Sequence, residues 1–514
     1  MSALAAGGPR RRLPAGCRRP IRAVAVLLTG AAALLLFGPV PVKAQSLEGR
    51  VREVVLDNGM RFLLVRRGTA PVFAAVLRVR VGSADDRSGK TGLAHLFEHL
   101  AFKGTSRIGA RDAEQERQVL DDLDRTVREL QAELDRAEAA NPAHLEALRE
   151  RFKALTRRHS DLVVKNEFSD ILTANGAVGL NASTGTDLTS YYLSLPANRL
   201  ELWCLMESAR LRDPVLREFY SERDVVMEER RYRYDNHPSG RLYEQLLLAA
   251  FSAHPYRGPG IGWMSDLERL TRPDAEAFRR AYYIPNNVVG AVVGTIDAEA
   301  AEALLRLYFG RLPKGEPPPL PATLEPLQAG ERRVRVEFDA EPQILMAYHK
   351  PGLMHADDPV FEILDGVLSS GRTGRLFRRL VTEQQLASDV YTFEAPGQRW
   401  PNLYVIGAVP RAPHSPLEVE SGIVAELRRL AEAPVPAPEL RKIQAQVESE
   451  AIYDLRSSTG LAAQLSMFAI LTGDWRNLPR RTAALSRVTP AMVQDVARRT
   501  FTDANRTVAI LERP

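Results

Sequence analysis

The sequence predicts an α+β protein of two related halves that are joined by a proline-rich linker. Strand-like alternation and helix-like spacing of apolar residues are mixed along the 514-residue chain, which is typical of this fold class. Six prolines fall between residues 313 and 326, so residues 311–330 are the best candidate for the linker. An aspartate pair precedes a predicted helix in each half, at residues 85–86 and 357–358, and we interpret this as a trace of internal duplication.

Residues 1–44 are typical of an export signal. Six arginines up to Arg22 precede an uncharged apolar run over residues 23–37, and Ala44 is a small residue suited to cleavage before Gln45. The run has 15 residues, whereas a membrane-spanning helix needs about 20. We therefore expect a cleaved signal, with a retained anchor as the alternative. The mature chain is then exported, to the periplasm if its source is bacterial, and has no membrane span.

The overall charge belongs mostly to this first segment. The formal net charge is +5, which would by itself suggest a nucleic-acid partner. Residues 1–44 contain seven basic residues and no acidic one, so their removal changes the net charge from +5 to −2. We therefore expect no nucleic-acid partner. The two cysteines, Cys17 and Cys204, are too few for a disulfide scaffold.

The first half, residues 45–310, opens with strand signals. An Asn-Gly turn between two alternating segments predicts a β-hairpin over residues 51–64. Residues 72–81 alternate as a further strand, and a helix is predicted over about residues 92–102.

Residues 113–165 differ from the rest of the first half. Apolar residues recur at three-to-four spacing, with charges between them, on both sides of a break at Asn141-Pro142. This pattern predicts two helices that fold back on each other as an inserted antiparallel hairpin. The insert is either a packed excursion or an arm that docks a partner.

The second half, residues 331–514, repeats the opening pattern of the first. Strands are predicted near residues 334–338 and 344–348, and a helix near residues 361–368. This helix carries no histidine, so any chemistry on it has been lost or never existed.

The strongest chemical signal is the segment His95-Leu-Phe-Glu98-His99. On a helix, positions i and i+4 share one face, so both imidazoles can reach one metal ion. Glu98 lies close enough to hold a water at that metal, in the order H-x-x-E-H. The alternative is a pair of surface histidines beside a glutamate, which the apolar flanks of this helix disfavour.

A carboxylate is the expected third ligand, because it leaves the metal a Lewis acid with an open position. Glu222 and Glu229 are seven residues apart, so on a helix they share one face with Val225 and Val226. The alternative is an ordinary exposed helix of mixed charge.

Two segments resemble a known family. Residues 92–105, Gly-Leu-Ala-His-Leu-Phe-Glu-His-Leu-Ala-Phe-Lys-Gly-Thr, resemble the signature of the pitrilysin family, which includes insulysin and the mitochondrial processing peptidases. Residues 222–229 resemble its second motif. The resemblance covers residues 51 to about 511 and is to the exported bacterial type of these inverzincin zinc peptidases. It implies that each half is an antiparallel sheet with packed helices, and that the halves enclose a chamber.

Carried over residue by residue, the resemblance implies zinc as the cofactor, with His95, His99 and Glu229 as its ligands. It implies that Glu98 is the general base and that Glu222 is a supporting acid behind the ligands. The expected activity is that of a zinc metallo-endopeptidase that hydrolyses peptides or unfolded polypeptide segments.

Residues 180–184 resemble the family's exposed strand beside the metal. A peptide substrate would pair with such a strand through main-chain hydrogen bonds, with Asn181 and Ala182 as the residues that contact it. The alternative is an ordinary edge strand.

The second half departs from the family at two positions. Active members carry an Arg and a Tyr that brace the substrate opposite the zinc, and this chain has Val381 and Ser388 there. The departure implies the zinc-bearing subunit of a two-chain protease, whose partner is a homologous subunit without zinc; a homodimer is the other arrangement. The rival interpretation is a non-catalytic assembly subunit of the same fold.

Overall fold

Two β-sheets, one from each half of the chain, organise residues 47–514, which a computed structural model describes. The predicted signal over residues 1–44 lies outside the described residues. The strands are β1 (Val51–Val55), β2 (Arg61–Arg66), β3 (Val72–Val79), β4 (Val178–Thr184), β5 (Thr189–Pro196), β6 (Val288–Gly294), β7 (Arg332–Glu337), β8 (Gln343–Lys350), β9 (Ala387–Ala395), β10 (Asn402–Pro410) and β11 (Arg506–Glu512).

Helices fill the segments between the strands. They are α1 (Leu93–Leu100), α2 (Ala113–Leu134), α3 (Pro142–Leu162), α4 (Glu167–Ala174), α5 (Leu200–Arg212), α6 (Phe219–Arg230), α7 (Pro238–Ala250), α8 (Met264–Arg269), α9 (Arg272–Tyr282), α10 (Ala298–Phe309), α11 (Asp358–Ser369), α12 (Pro416–Glu432), α13 (Ala437–Asp454), α14 (Ser458–Thr472), α15 (Asn477–Leu485) and α16 (Pro490–Thr500). None of the helices within residues 47–514 combines the length and the apolar character needed to cross a membrane.

The strand order confirms the α+β fold of two related halves. The first sheet has the order β1-β2-β6-β3-β5-β4 and the second has the order β7-β11-β8-β10-β9. Without β1, both halves therefore arrange their five strands identically along the chain. Each sheet is antiparallel except for one pair, because the opening strand of each five lies parallel to the last, β2 to β6 and β7 to β11.

One helix from each half packs on the sheet of the other half. Leu242 and Leu246 of α7 pack with Leu345 and Ala347 of the second sheet. In return, α14 packs on the alternate residues of β6 that face away from the first-half helices. This exchange buries both faces of each sheet, which is why central strands such as β6 are apolar throughout.

The predicted linker has no helix or strand over residues 313–330, yet it is anchored. Both carboxylate oxygens of Glu325 accept hydrogen bonds from the backbone N–H groups of residues 252–254, at 2.7–3.0 Å. Arg61 of β2 also donates to the carbonyl oxygens of Ala469 and Gly473 at the end of α14, both at 2.7 Å. The halves are thus joined by contacts as well as by chain.

The insert over residues 113–165 is the predicted helical hairpin. Asp112 and Asn141 cap the first turns of α2 and α3 with their side-chain oxygens. The hairpin folds against the body of the first half, where Asp124 of α2 pairs with Arg272 at the start of α9. It is therefore a packed excursion along this side.

Candidate metal centre

Helices α1 and α6 lie side by side and antiparallel. Nε2 of His95 is 3.2 Å from Oε2 of Glu229 near the end of α6, and Nδ1 of His99 is 3.2 Å from Oε2 of Glu222 one turn into it. All four of these side chains are partly buried, with 14–24% of each exposed. The structure thus brings together residues that are more than 120 positions apart in sequence.

Three of these side chains form a ligand set. One ligand atom each from His95, His99 and Glu229 lie within 4.8 Å of one another, and Nε2 of His99 is 3.8 Å from Oε2 of Glu229. A tetrahedral zinc ion with ligands at about 2.0–2.1 Å would place its ligand atoms about 3.4 Å apart. Two imidazoles and one carboxylate therefore fit zinc with a fourth position left open.

Glu222 contacts Nδ1 of His99 with one of its two carboxylate oxygens. Its second oxygen, Oε1, is 2.6 Å from Nζ of Lys103, which also contacts Glu218 at 3.0 Å. Burial opposes ionisation of Glu222, but the hydrogen bonds and charges of His99 and Lys103 prevail and lower its pKa to about 2. Burial also opposes the charged form of His99 and so lowers its pKa. The hydrogen bond and charge of Glu222 are the main effects that outweigh burial, and the pKa of His99 is raised overall. Glu222 is therefore an anion that orients the His99 imidazole.

Lys103 is a site residue that sequence reasoning missed. Its signal was present, because Lys103 belongs to the segment 92–105 that carries the family resemblance. Burial lowers its pKa, but the bonds to Glu222 and Glu218 outweigh burial and raise it.

Arg233 holds the outer oxygen of Glu229. Its Nη1 is 2.9 Å from Oε1 of Glu229, while Oε2 faces the imidazoles. The hydrogen bond from His95 is the main cause of a lowered pKa for Glu229, to which the Arg233 charge adds. Arg233 lies in a single π-turn, Arg231–Asp235, and Gly240 leaves room for it, because a Cβ there would lie 1.9 Å from the Arg233 carbonyl oxygen.

Glu98 lies on α1 between the two histidines and is partly buried. Within residues 47–514, no cationic side chain forms a salt bridge with its carboxylate. Glu98 thus shares a helix with both histidines, and no salt bridge within the described residues engages its carboxylate.

The start of α1 is fixed by a glycine contact. Gly92 caps the helix with φ +86°, and a Cβ on it would lie 2.5 Å from the Ile261 carbonyl oxygen. Asp86 accepts hydrogen bonds from the N–H groups of Gly92 and Ala94, at 2.8 and 3.0 Å. Arg230, at the end of α6, donates to the neighbouring Gly262 carbonyl at 2.8 Å. The two helices that carry the candidate metal ligands are therefore tied at this end.

Strand β4 is the outer strand of the first sheet and packs beside α1. Asn181 is exposed and its side-chain oxygen accepts from the N–H of Ala182 at 2.9 Å, while Ala182 is buried. An open groove of about 520 Å³ lies between the start of this strand and α4, and Phe102 is among the residues that line it. The predicted role of Asn181 and Ala182 in binding substrate stays a prediction.

The second half offers neither a guanidinium nor a phenol at the two departing positions. Val381 packs against the second-half core, and the Ser388 hydroxyl donates to the Val409 carbonyl at 3.2 Å. The nearby Arg379 is paired with Glu383 at 2.7 Å.

Two family models match the chain. The model described as Insulinase (Peptidase family M16) matches residues 61–120, and the one described as Peptidase M16 inactive domain matches residues 269–447. His95, Glu98 and His99 lie in the first match, whereas Glu229 lies between the two.

Named relatives agree with these models. The chain is similar to the zinc protease PqqE of Helicobacter pylori, with 28% identity over 86% of this chain and 89% of the relative. It is also similar to a probable mitochondrial-processing peptidase subunit beta of Schizosaccharomyces pombe, with 22% identity over 82% and 83%. Relatives carrying the name zinc protease support a peptidase-type hydrolase at the level of the family.

Solved structures give the same result for the fold. A crystal structure of a protease from Helicobacter pylori superposes with a TM-score of 0.76 at 26% identity, covering 90% of this chain and 99% of that one. A Pseudomonas fluorescens structure titled as a peptidase M16 inactive domain has a TM-score of 0.70 at 16% identity over 90% and 98%, which supports the fold alone. The chain belongs to the insulinase-like peptidase family M16.

Proposed function

We propose that this protein is a zinc metallo-endopeptidase that cleaves peptides or unfolded polypeptide segments. The observation that carries the proposal is the ligand set of His95, His99 and Glu229, whose ligand atoms lie within 4.8 Å of one another. Glu98, on the same helix and free of a salt bridge within residues 47–514, supplies the base that such a site needs. The names of the relatives support zinc in place of another metal.

Each residue of the site has a distinct task. Zinc, when bound, supplies the Lewis acidity that makes a water molecule more acidic and that favours negative charge on a peptide carbonyl oxygen. Glu98 takes the proton from the attacking water and passes it to the leaving amine. Glu222 keeps His99 in the tautomer and orientation that present Nε2 to the metal. Arg233 binds Oε1 of Glu229 and so orients that carboxylate with Oε2 towards the metal.

The substrate is expected to bind as an extended chain. Among the described strands, β4 pairs only with β5, so a peptide can add to its other edge as a further strand. This mode of binding requires backbone N–H and C=O groups that a folded protein has already paired, so folded proteins are expected to be poor substrates.

Substitution of Glu98 tests the assignment of the base. We expect Glu98→Gln to keep its zinc but to lose at least about a hundredfold in turnover of an unfolded polypeptide, since general acid–base catalysis contributes that much or more. The matched control is Glu228→Gln, since Glu228 is exposed on α6 and pairs with Arg231. Turnover retained in Glu98→Gln would show that Glu98 is not the base.

We further propose that the active enzyme has two chains, of which this one carries the metal. The support is the pair Val381 and Ser388, which cannot brace a substrate as an arginine and a tyrosine would. We expect the purified chain to hydrolyse peptides poorly until a zinc-less homologue with that Arg and Tyr is added. Full activity of the chain alone, as monomer or homodimer, would refute this arrangement. Bound zinc without hydrolysis in any combination would favour the assembly-subunit alternative.

Export is the proposed setting of this activity, on the support of residues 1–44. Cell fractionation of the full chain in a bacterial host is expected to place a shortened product in the periplasm. A full-length product in the membrane fraction would favour the retained anchor.

A further inference from the structure

A buried side chain just before α6, Arg217, joins the inserted hairpin to the segments next to the helices that carry the candidate ligands. Only 1% of its surface is exposed. Its Nε and one Nη2 proton bond to the two oxygens of Glu116 in α2, both at 2.7 Å. His159 of α3 contacts the same carboxylate at 3.2 Å. Both helices of the insert therefore converge on the carboxylate that this guanidinium binds.

The other donors of Arg217 bind the loop that follows α1. They reach the carbonyl oxygens of Lys103 at 2.6 Å, Ile108 at 2.7 Å and Thr105 at 2.9 Å. All five N–H groups of the guanidinium are thus used. A buried arginine with that many fixed partners defines the path of the loop rather than following it.

The loop is built around the guanidinium. Gly104 and Gly109 have φ angles of +93° and +103°, and a Cβ on Gly109 would lie 2.4 Å from Nη1 of Arg217. A side chain at Gly109 would therefore displace the arginine as well as strain the backbone.

Lys103 connects this loop to the candidate metal centre. Its carbonyl oxygen is held by Arg217, and its ammonium group is 2.6 Å from Oε1 of Glu222. Glu222 in turn contacts Nδ1 of His99 at 3.2 Å. A shift of the loop backbone would therefore move the lysine that fixes the partner of a metal ligand.

We propose that Arg217 is a positioning residue for the metal centre and that the inserted hairpin supplies its buried counter-ion, Glu116. The insert is then part of the support of the site, and its removal would leave the Arg217 guanidinium buried without a counter-ion. The proposal rests on the proposed function only in taking His95, His99 and Glu229 to bind a metal ion.

Metal affinity of the full chain tests the proposal. Zinc affinity is measured by competition with a chelator, and the geometry of the site by the visible absorption of the Co²⁺-loaded protein. We expect Glu116→Gln and Arg217→Lys to weaken zinc binding about tenfold, the lower end of the effect of outer-shell partners, and to alter the cobalt spectrum. Arg217→Lys keeps the ion pair with Glu116, so it remains informative if Glu116→Gln does not fold.

Asp124→Asn is the matched control. Asp124 is also a buried acid of α2 paired with an arginine outside the insert, Arg272, but it has no bond to the loop after α1. We expect it to lower stability without changing zinc affinity. An equal loss of affinity in Asp124→Asn would mean a general loosening and would overturn the proposal.

A double-mutant cycle tests the route through Lys103. If Arg217 acts through this lysine, Glu116→Gln should weaken zinc binding far less in a Lys103→Met background than in the wild-type chain. An undiminished effect, or wild-type affinity and spectrum in both Glu116→Gln and Arg217→Lys, would contradict the proposal. Failure of the metal assignment has a different signature, because the wild-type chain itself would then bind no zinc, and failure of peptidase activity alone would leave these zinc affinities unchanged.

Discussion

Nδ1 of His99 lies 3.2 Å from Oε2 of Glu222, a carboxylate that also binds Lys103. This contact leaves Nε2 of His99 free for the metal, so its loss should weaken metal binding. We expect Glu222→Gln to reduce zinc affinity about 10- to 100-fold in a chelator competition. Glu228→Gln, on the exposed side of the same helix, should have wild-type affinity; equal affinities for the two variants would remove Glu222 from the site.

The same pair makes the stability of the metal-free protein depend on pH. The pKa of Glu222 is lowered to about 2 from its ordinary value of 4.5. The contribution of Glu222 to folding stability is therefore complete above pH 4.5 and is lost as the pH falls from there towards 2. The pKa of His99 is raised above 6.5, so its contribution is complete below 6.5 and is lost as the pH rises through the folded value. The two contributions coincide between pH 4.5 and 6.5.

Urea unfolding of the metal-free protein checks this window. The free energy of unfolding of the wild-type chain should exceed that of Glu222→Gln most near the middle of the window, and the excess should shrink at pH 3. A difference between the two proteins that does not vary with pH would contradict the assigned pKa directions.

Gly92 is expected to be far more sensitive than Gly89, although both have positive φ, +86° and +79°. Alanine at Gly89 meets nothing within 4 Å and should cost about 1–2 kcal/mol for its backbone conformation alone. Alanine at Gly92 would also meet the Ile261 carbonyl oxygen at 2.5 Å, at the start of the helix that carries both histidines. The melting temperature of Gly92→Ala should therefore be clearly lower than that of Gly89→Ala. Equal melting temperatures would show that the contact relaxes freely.

Arg230 ties α6 to α7 through a buried ion pair. Its Nη2 is 3.0 Å from Glu244, and only 4% and 2% of the two side chains are exposed. Arg230→Met leaves Glu244 buried and unpaired, which should cost about 3–5 kcal/mol in denaturant unfolding. The double variant Arg230→Met/Glu244→Leu should recover most of that loss. A double variant as unstable as the single one would mean that the bond to the Gly262 carbonyl, and not the ion pair, is what matters.

Local spacing predicted the candidate ligands because helix geometry fixes which side chains share a face, and the family resemblance then singled out Glu229 from Glu222. His95 and His99 are one turn apart, and Glu222 and Glu229 are two turns apart, so each pair points to one side whatever the tertiary fold. Val225 and Val226 were predicted to share one face, but Val225 is 49% exposed and Val226 is buried. The buried face is centred on Phe219 and Val226, and the carboxylates border it.

The supporting arginines, Arg217 and Arg230, escaped prediction because their partners are distant in sequence. Arg217 meets Glu116 across 101 positions, and no pattern within either segment signals the other. In the sequence, Arg230 is one of several basic residues in a helix of mixed charge, and only the tertiary fold places Glu244 beside it. The parallel strand pair in each sheet could not be predicted either. It forms because the last strand of each half returns beside the opening one, which only the tertiary fold decides.

Zinc content is the most direct test of the central claim that His95, His99 and Glu229 bind a metal ion. Purified wild-type chain and folded His99→Ala should be analysed side by side by elemental mass spectrometry after dialysis. We expect one zinc per wild-type chain and almost none in His99→Ala. A wild-type chain without zinc, or equal zinc in the two proteins, would contradict the claim.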